Sequence, residues 1–394
     1  MHSPVAYADF GLTSLYDSLR DFVVYRNLVP ADPRLPSFAD IRERLGRRAV
    51  GLPRKADPAY GQVLTELLRC ARETERPTTP LRRLIYIGDT RMNDGTAFRN
   101  LCSASQWPGW AFIGRDEVDH PLKVQREGNL YVANRWAALP GFLVFLREQG
   151  FPLDEETAVV VDIDKTFIGA RGRNDKVIDA ARVEAVKRTV SSFLGSSFDE
   201  LAFDEAYALL NRPAYHAFTA DNQDYLAYIS LTLGAGIYGL DQLVEDIASG
   251  NLLHFEAFVS RVGDRHAELA QSGLLPVHDD VWRRVRAGDP TPFKSFRYNE
   301  YLSTVSRFGR LGEASTEELL AERITITQEV REVAGELRRR GALIFGISDK
   351  PDEASVPNGS QAKAGMQPLH RLEAVAVGER PTAGRVDLAR YSTP

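Results

Sequence analysis

Two aspartates one residue apart, Asp162 and Asp164, follow an apolar run and are the residues in this chain best suited to chemistry. Residues 158–163 carry four β-branched side chains, which favour a strand. At the end of a buried parallel strand, both carboxylates would share one crevice. Neighbouring carboxylates repel each other and need a cation or a proton. Because magnesium takes a few carboxylate oxygens and leaves room for a phosphate, this segment predicts a phosphate-handling site with Mg²⁺.

A second acidic pair and a serine also follow predicted strands. Asp89 and Asp94 come after a short apolar strand at 84–87, and Ser348 closes the apolar segment 342–347. Each of these residues also has a plain structural interpretation, because aspartates suit turns and helix caps and serine is common where strands end. The residues alone leave both interpretations open.

Predicted strands and helices alternate on either side of the middle of the chain. This alternation predicts an α/β fold, a three-layer Rossmann-like parallel sheet with helices on its faces. Residues 1–50 are predicted to be helical and then irregular, 355–368 to be a mobile loop, and 380–394 to be irregular. Predicted strands lie at 84–87, 110–113, 158–163, 342–347 and 372–377, and predicted helices at 58–72, 135–150 and 326–340, with another ending near 102.

The middle of the chain, from about 175 to 325, has a different pattern. Long amphipathic segments follow one another there with almost no strand signals, which predicts an all-helical block of one domain's length. The sequence therefore predicts that 1–172 and 326–394 form the α/β core and that 173–325 is an inserted helical domain.

The composition narrows the class of protein. The 394 residues suffice for two or three domains, and 43% hydrophobic with 26% charged residues is typical of a soluble globular protein. A net charge of −5 argues against general nucleic-acid binding. Two cysteines, Cys70 and Cys102, cannot form a disulfide framework or a cysteine-based zinc site, so we expect a cytoplasmic location. We also expect no signal peptide, no membrane span and no nucleic-acid partner.

Taken together, four motifs resemble those of the haloacid dehalogenase-like (HAD) superfamily, whose members are mostly phosphatases. The first is Asp-x-Asp-x-Thr at 162–166, and the second is Ser348 after its strand. The third is a lysine near the start of a helix, for which Lys55 fits best. The fourth is Gly-Asp-x-x-x-x-Asp at 88–94. Rivals of Lys55 are Lys165, Lys350 and Lys363.

The order of these motifs differs from that of an ordinary family member, because the third and fourth precede the first. The resemblance therefore implies a circularly permuted chain with new termini between the second and third motifs, which a parallel sheet can tolerate. The strand at 372–377 would be the core strand that follows the second motif. The helical block lies between the first and second motifs, where many family members insert a helical cap.

The resemblance also implies roles for the catalytic residues. Asp162 would attack the phosphorus and form an aspartyl-phosphate. Asp164 would protonate the leaving oxygen and then deprotonate the attacking water. Ser348 and Lys55 would hold phosphate oxygens and neutralise the charge that grows in the transition state.

The same resemblance implies a magnesium site and substrate contacts. Arginines can meet an anionic substrate because their guanidinium groups match phosphate and carboxylate geometry. The implied Mg²⁺ ligands are Asp162, the backbone carbonyl of Asp164 and Asp89, with Asp94 either as a further ligand or as a residue that contacts the ligands. The implied substrate-binding residues are Thr166, Arg171 and Arg173.

The sequence thus predicts a magnesium-dependent phosphohydrolase that acts on a small phosphorylated metabolite. A phosphotransferase or phosphomutase on the same scaffold is one alternative, because a hydroxyl group can replace water as the second attacker. A non-catalytic binding protein is another alternative, although a site without catalytic function has no need for all four carboxylates. A receiver domain that phosphorylates an aspartate fits less well, because it has no inserted helical domain. The sequence leaves the oligomeric state open.

Overall fold

The computed structural model describes residues 5–44 and 51–380, which belong to two compact units. Unit 2 comprises Ala180–Ser306 and Val356–Ala364, and unit 1 comprises the remaining described residues. Residues 173–179 and 307–325, predicted in the helical domain, group with unit 1. The Asn174 side chain explains this grouping, since it bonds to the backbone of residues 320, 323 and 325. The irregular tail predicted at 380–394 lies outside the described residues beyond position 380.

The elements are numbered in chain order. The described strands are β1 (Tyr7–Ser14), β2 (Val23–Val24), β3 (Arg83–Gly88), β4 (Gly109–Gly114), β5 (Val124–Glu127), β6 (Leu130–Ala133), β7 (Thr157–Asp162), β8 (Ile326–Thr327), β9 (Leu343–Ile347) and β10 (Glu373–Glu379). The described helices are α1 (Leu15–Leu19), α2 (Phe38–Arg44), α3 (Pro58–Glu75), α4 (Asn93–Ser105), α5 (Leu139–Glu148), α6 (Asp175–Leu194), α7 (Glu200–Leu210), α8 (His216–Thr219), α9 (Gln223–Gly234), α10 (Leu240–Ala248), α11 (Phe255–Gly263), α12 (His266–Gln271), α13 (Leu275–Arg286), α14 (Lys294–Val305), α15 (Thr316–Glu322), α16 (Gln328–Arg339) and α17 (Gly359–Lys363).

Unit 1 is an α/β structure built on a seven-stranded, mostly parallel sheet in the order β2-β9-β7-β3-β4-β6-β5. Among the described strands of this sheet, β5 and β6 pair antiparallel and the other neighbouring strands pair parallel. The strands predicted at 84–87, 110–113, 158–163 and 342–347 are confirmed as β3, β4, β7 and β9. The hairpin of β5 and β6 was not predicted, because each strand has only four residues and β5 carries mainly polar ones.

The sheet is buried on both faces, which is why its central strands read as apolar runs. All six residues of β7 are buried. Side chains alternate between the faces, so that Leu84 and Tyr86 join the core under α3 and α4. On the other side, α5 packs against α16 and β4, and α16 packs against β9. These two helical layers on either side of the sheet agree with the predicted three-layer, Rossmann-like arrangement.

The prediction for strand 372–377 is wrong in its placement. This segment forms β10, which lies in a separate three-stranded sheet in the order β1-β10-β8. The reason is the N-terminal segment, which was predicted to be helical at first. It contains the helix α1 (Leu15–Leu19), but the residues before α1 form β1 and pair with β10 from Tyr7↔Glu379 to Ser14↔Glu373. Farther along, β2 takes the edge position beside β9 in the main sheet.

Unit 2 is helical, as predicted, and the described part of it contains no strand. Its core includes the buried aromatic side chains of Phe258 and Phe296. Inside it, the Asp224 carboxylate accepts hydrogen bonds from Arg297 Nε at 2.7 Å and from the Phe293 backbone N–H at 3.0 Å. Burial raises the pKa of Asp224 to about 6, although the Arg297 charge opposes the shift. Part of the segment predicted as a mobile loop forms α17.

A search of the described helices for a membrane span gave a negative result, since none combines sufficient length with sufficient apolar character.

Candidate active site

Three neighbouring strands of the main sheet carry the predicted site at their carboxyl ends. Asp162 is the last residue of β7, which lies between β9 and β3. Asp89 directly follows β3 and Ser348 directly follows β9. The register pairs Ile87 with Val161 and Asp162 with Ile347, so the three strands end at the same level. Parallel strands therefore bring the polar residues together at one edge of the sheet.

Three buried carboxylates form the centre of this site. Asp89, Asp94 and Asp162 each offer an oxygen atom, and these atoms lie within 4.8 Å of one another. We call these three residues the acid trio. Burial, with the negative charges of Asp94 and Asp89, raises the pKa of Asp162 well above its ordinary value, although Lys55 opposes the shift. Burial and the Asp94 charge also raise the pKa of Asp89, to about 7. Such a cluster requires compensating positive charge.

Lys55 supplies one of these charges from the segment that precedes α3. Its Nζ lies 2.5 Å from Asp162 Oδ1 and 3.0 Å from Asp94 Oδ1, and the residue is 5% exposed. Burial alone would lower the pKa of Lys55, but the Asp162 and Asp94 charges outweigh burial and raise it. Among the rival lysines, Lys165 instead pairs with Asp179.

Asp94 is surrounded by donors and acts as a structural hub. Its Oδ1 accepts hydrogen bonds from Lys55 and from Tyr86 Oη at 2.9 Å. Its Oδ2 accepts from the backbone N–H groups of Asp89 and Thr90 and from Thr90 Oγ1, at 2.9–3.1 Å. A carboxylate has about four lone-pair positions, so five donors fill them. Of its two predicted roles, Asp94 therefore suits that of a residue that contacts the metal ligands rather than the metal.

The remaining donor set fits a hard divalent cation. Asp162 accepts hydrogen bonds from Lys55 and from Thr166 Oγ1 at 3.2 Å, and Asp89 accepts one from Arg171 Nε. Both carboxylates thus retain lone pairs in a cluster of excess negative charge, which is the oxygen environment that Mg²⁺ or Ca²⁺ requires. The Asp164 carboxylate is not in the acid trio, so the role predicted for Asp164 at the metal rests on its backbone carbonyl.

Asp164 and Ser348 lie together beside the acid trio. Ser348 Oγ donates to Asp164 Oδ2 at 2.5 Å and accepts from the Lys350 backbone N–H at 2.9 Å. Ser348 is buried, whereas Asp164 is partly exposed. The predicted acid–base residue and the predicted phosphate ligand are therefore in direct contact.

Tyr86 and Gly88 are site residues that sequence reasoning missed. Tyr86 faces Asp94 from within β3, and a tyrosine in an apolar strand gives no local signal of such a contact. A Cβ atom at Gly88 would lie 2.6 Å from Asp94 Cβ, so this position has no room for a side chain. This lack of space explains why a glycine precedes Asp89 in the fourth motif, because the end of β3 must approach α4 closely.

The loop after β7 carries Thr166 and Arg171. Thr166 orients Asp162 through the hydrogen bond described above. Lys165 adopts a left-handed conformation with φ of 61°, which costs a non-glycine residue about 1–2 kcal/mol. The Arg171 carbonyl accepts hydrogen bonds from the Asp116 backbone N–H at 2.9 Å and from Trp136 Nε1 at 3.2 Å. These bonds hold the main chain of Arg171 where its guanidinium group reaches Asp89.

Arg173 has a different setting from the one predicted. Its side chain has 0% exposure and donates to Asp116 Oδ2 at 2.8 Å, to both oxygens of Glu329, and to the Val377 carbonyl. These bonds tie the loop to α16 and to the small sheet. The predicted contact of Arg173 with a substrate finds no support in this arrangement.

Gly172 makes the closest backbone approach near the site, and we expect Gly172→Ala to be strongly destabilising. Its φ is +79°, and a Cβ atom would lie 2.1 Å from the Asp116 carbonyl oxygen. The left-handed conformation and the clash together should cost about 2–4 kcal/mol, measured from the shift of the urea unfolding midpoint. Gly128→Ala is the control, because its φ is +58° with no atom within 4 Å, and it should cost about 1 kcal/mol. Equal losses in the two variants would contradict the proposed close packing.

Comparison of the chain with protein-family models, with curated proteins and with solved structures found no match.

Proposed function

We propose that this chain is a magnesium-dependent phosphohydrolase that releases phosphate from a small phosphorylated metabolite through an aspartyl-phosphate. One observation carries the proposal: the Lys55 ammonium group lies between Asp162 and Asp94 at the same sheet edge as the pair Ser348 and Asp164. The proposed nucleophile Asp162, the proposed acid–base residue Asp164, a cation and a hydroxyl donor thus lie at one edge of the sheet. Phosphoryl transfer needs such a set of groups.

The order of the strands supports a HAD-like core. The first-motif strand β7 has the second-motif strand β9 on one side and the fourth-motif strand β3 on the other. The four motifs meet although β3 precedes β7 in the chain, which favours a circularly permuted connection. Residues 180–306 of the helical unit 2 lie in the sequence between the first and second motifs, and residues 356–364 follow the second motif. We propose unit 2 as the cap that reads the substrate.

The chemistry begins at Asp162. One carboxylate oxygen attacks the phosphorus, an O–P bond forms, and the bond from phosphorus to the ester oxygen breaks. Asp164, in its protonated form, gives its proton to that leaving oxygen. Asp164 then takes a proton from water, which attacks the aspartyl-phosphate, releases inorganic phosphate and restores Asp162.

Positive charge and hydroxyl donors balance the phosphate. Lys55 and Arg171 carry the protein's positive charges at the acid trio, and Ser348 exchanges its bond to Asp164 for one to a phosphate oxygen. When bound by Asp89 and Asp162, Mg²⁺ screens the repulsion between the nucleophile and the anionic ester.

Release of phosphate from a panel of small phosphate esters, with Mg²⁺ or with EDTA, tests the proposal. We expect turnover that requires Mg²⁺. Transfer of the phosphate to an added alcohol without release would instead indicate a phosphotransferase. If no ester of a broad panel loses its phosphate, either by release or by transfer, the non-catalytic alternative is favoured.

Asp89→Ala should raise the Mg²⁺ concentration for half-maximal activity at least about 10-fold, because it removes a proposed ligand. A magnesium titration of phosphate release measures the shift. Asp241→Ala, at an exposed aspartate of α10, is the control for the change in net charge and should leave the titration unchanged. A titration of Asp89→Ala that matches the wild type would remove Asp89 from the ligand set.

A further inference from the structure

A cavity of about 600 Å³ lies beside the acid trio in unit 1. The lining comprises residues 89–92 after β3, residues 113–115 and 117 at the end of β4 and just after it, and the region of the β5–β6 hairpin. Asp89 and Arg171 belong to this lining and also to the candidate active site. Because an Asp89 oxygen lies within 4.8 Å of an Asp162 oxygen, a ligand that fills the cavity has one end near the proposed nucleophile. The volume is within the ordinary range of small-molecule sites.

The uncharged part of the lining favours an aliphatic ligand. Met92, Ile113, Val132 and Ala133 supply apolar surface, and Met92 is 83% exposed. Among the described residues that line the cavity none is aromatic, so they offer no ring on which a base could stack. A saturated chain suits these walls better than a planar ring.

The charges of the lining leave one cation unbalanced. Arg91 pairs with Glu127 at 2.9 Å, Arg115 pairs with Glu117, and Arg171 pairs with Asp89. Lys123 is the remaining cation of the lining, and within residues 5–44 and 51–380 it has no ion-pair partner. An uncompensated lysine on the wall of a cavity attracts an anionic group of a ligand.

Asn134 holds the backbone of Lys123 in place. Its Oδ1 accepts from the Lys123 N–H at 2.6 Å, its own N–H donates to the Lys123 carbonyl at 3.2 Å, and its Nδ2 donates to the Pro121 carbonyl at 2.8 Å. The Asn134 carbonyl also accepts from the Glu117 N–H at 2.9 Å. Asn134 thus holds the loop between β4 and β5, which carries Lys123, through its side chain and its main chain.

We propose that this cavity binds the body of the substrate, and that the substrate is a phosphomonoester with an aliphatic chain ending in a second anionic group that Lys123 recognises. The position of its phosphate at Asp162 rests on the proposed function. The second group is a carboxylate or a phosphate, because a lysine ammonium acts as a point charge toward either one.

Matched alkyl phosphates of increasing chain length test the inference. At the best length, the ω-carboxyalkyl or ω-phosphoalkyl phosphate should exceed the ω-hydroxyalkyl phosphate about 10-fold in kcat/KM, as expected for a hydrogen bond to a charged group. In Lys123→Ala this preference should fall to about one through a higher KM for the anionic ester. Lys123→Arg should restore it, and Lys176→Ala, at an exposed lysine of α6, should retain it. A preference that persists in Lys123→Ala would overturn the assignment.

Binding to the Asp162→Asn variant separates this inference from the proposed function. Calorimetric titration of this variant should show that the ester with a second anionic group binds about 10-fold more tightly than the ω-hydroxyalkyl phosphate. The double variant with Asp162→Asn and Lys123→Ala should bind the two esters equally. If the wild type releases no phosphate but this difference remains, the phosphohydrolase proposal fails and the cavity assignment stands. If phosphate is released with no preference for a second anion in turnover or binding, the cavity assignment fails and the phosphohydrolase proposal stands.

Discussion

Asp162→Asn should abolish phosphate release, with kcat reduced at least about 10³-fold, because the amide cannot form the aspartyl-phosphate. Asparagine keeps the shape of the side chain and removes one of three negative charges whose oxygens lie within 4.8 Å of one another. We therefore expect the fold to survive. Steady-state phosphate release and thermal unfolding in EDTA measure the two effects separately.

A single-turnover experiment with a labelled phosphate ester gives the sharper test of the same residue. Label should appear on the wild-type protein and then leave as inorganic phosphate, whereas Asp162→Asn should acquire no label. Asp241→Asn, at an exposed aspartate of α10, is the matched control and should behave as wild type. Retained turnover in Asp162→Asn would refute the nucleophile assignment, and label on both proteins would place the phosphate on another residue.

Lys55→Met should have the largest combined effect on stability and activity. The substitution leaves the carboxylates of Asp162 and Asp94, which are 4% and 1% exposed, without their cation. Breaking a buried ion pair by removing one partner costs about 3–5 kcal/mol, and this loss should appear in urea unfolding with EDTA. Without this charge on the phosphate, kcat should also fall about 10²–10³-fold.

Magnesium should stabilise Lys55→Met more than it stabilises the wild type, because a divalent cation can replace the missing charge. Lys363→Met is the matched control, since Lys363 is exposed in α17 and its replacement should change stability by about 0.5 kcal/mol or less. If the Lys55→Met variant were as stable as the wild type, or if Lys363→Met lost activity, another lysine would serve the site.

The strand ends of the site could be predicted from the sequence because their signals are local. An apolar run that ends in aspartate or serine marks both a buried strand and the polar residue that follows it, as at Asp162, Asp89 and Ser348. Parallel strands then align these ends at one edge, so proximity follows from the fold class. The same local signals did not reveal β1, because Gly11 and the register shift near Asp9 interrupt its pattern.

The charge partners depend on contacts between distant parts of the chain. Lys55 meets Asp94 across 39 positions and Asp162 across 107, and no periodicity distinguishes it from Lys165 or Lys350. Arg171 and Arg173 are two residues apart, yet one reaches the acid trio and the other is buried with Asp116 and Glu329.

The sequence by itself therefore determined the α/β class, the main buried strands and the polar residues at their ends, since hydrophobic patterning and β-branched side chains act over a few positions. Only the tertiary structure decided which lysine compensates the acid trio, that Asp94 has its lone pairs filled, and that β10 pairs with β1. Those outcomes depend on burial and on the distances between charges, which exist only when separate segments pack together.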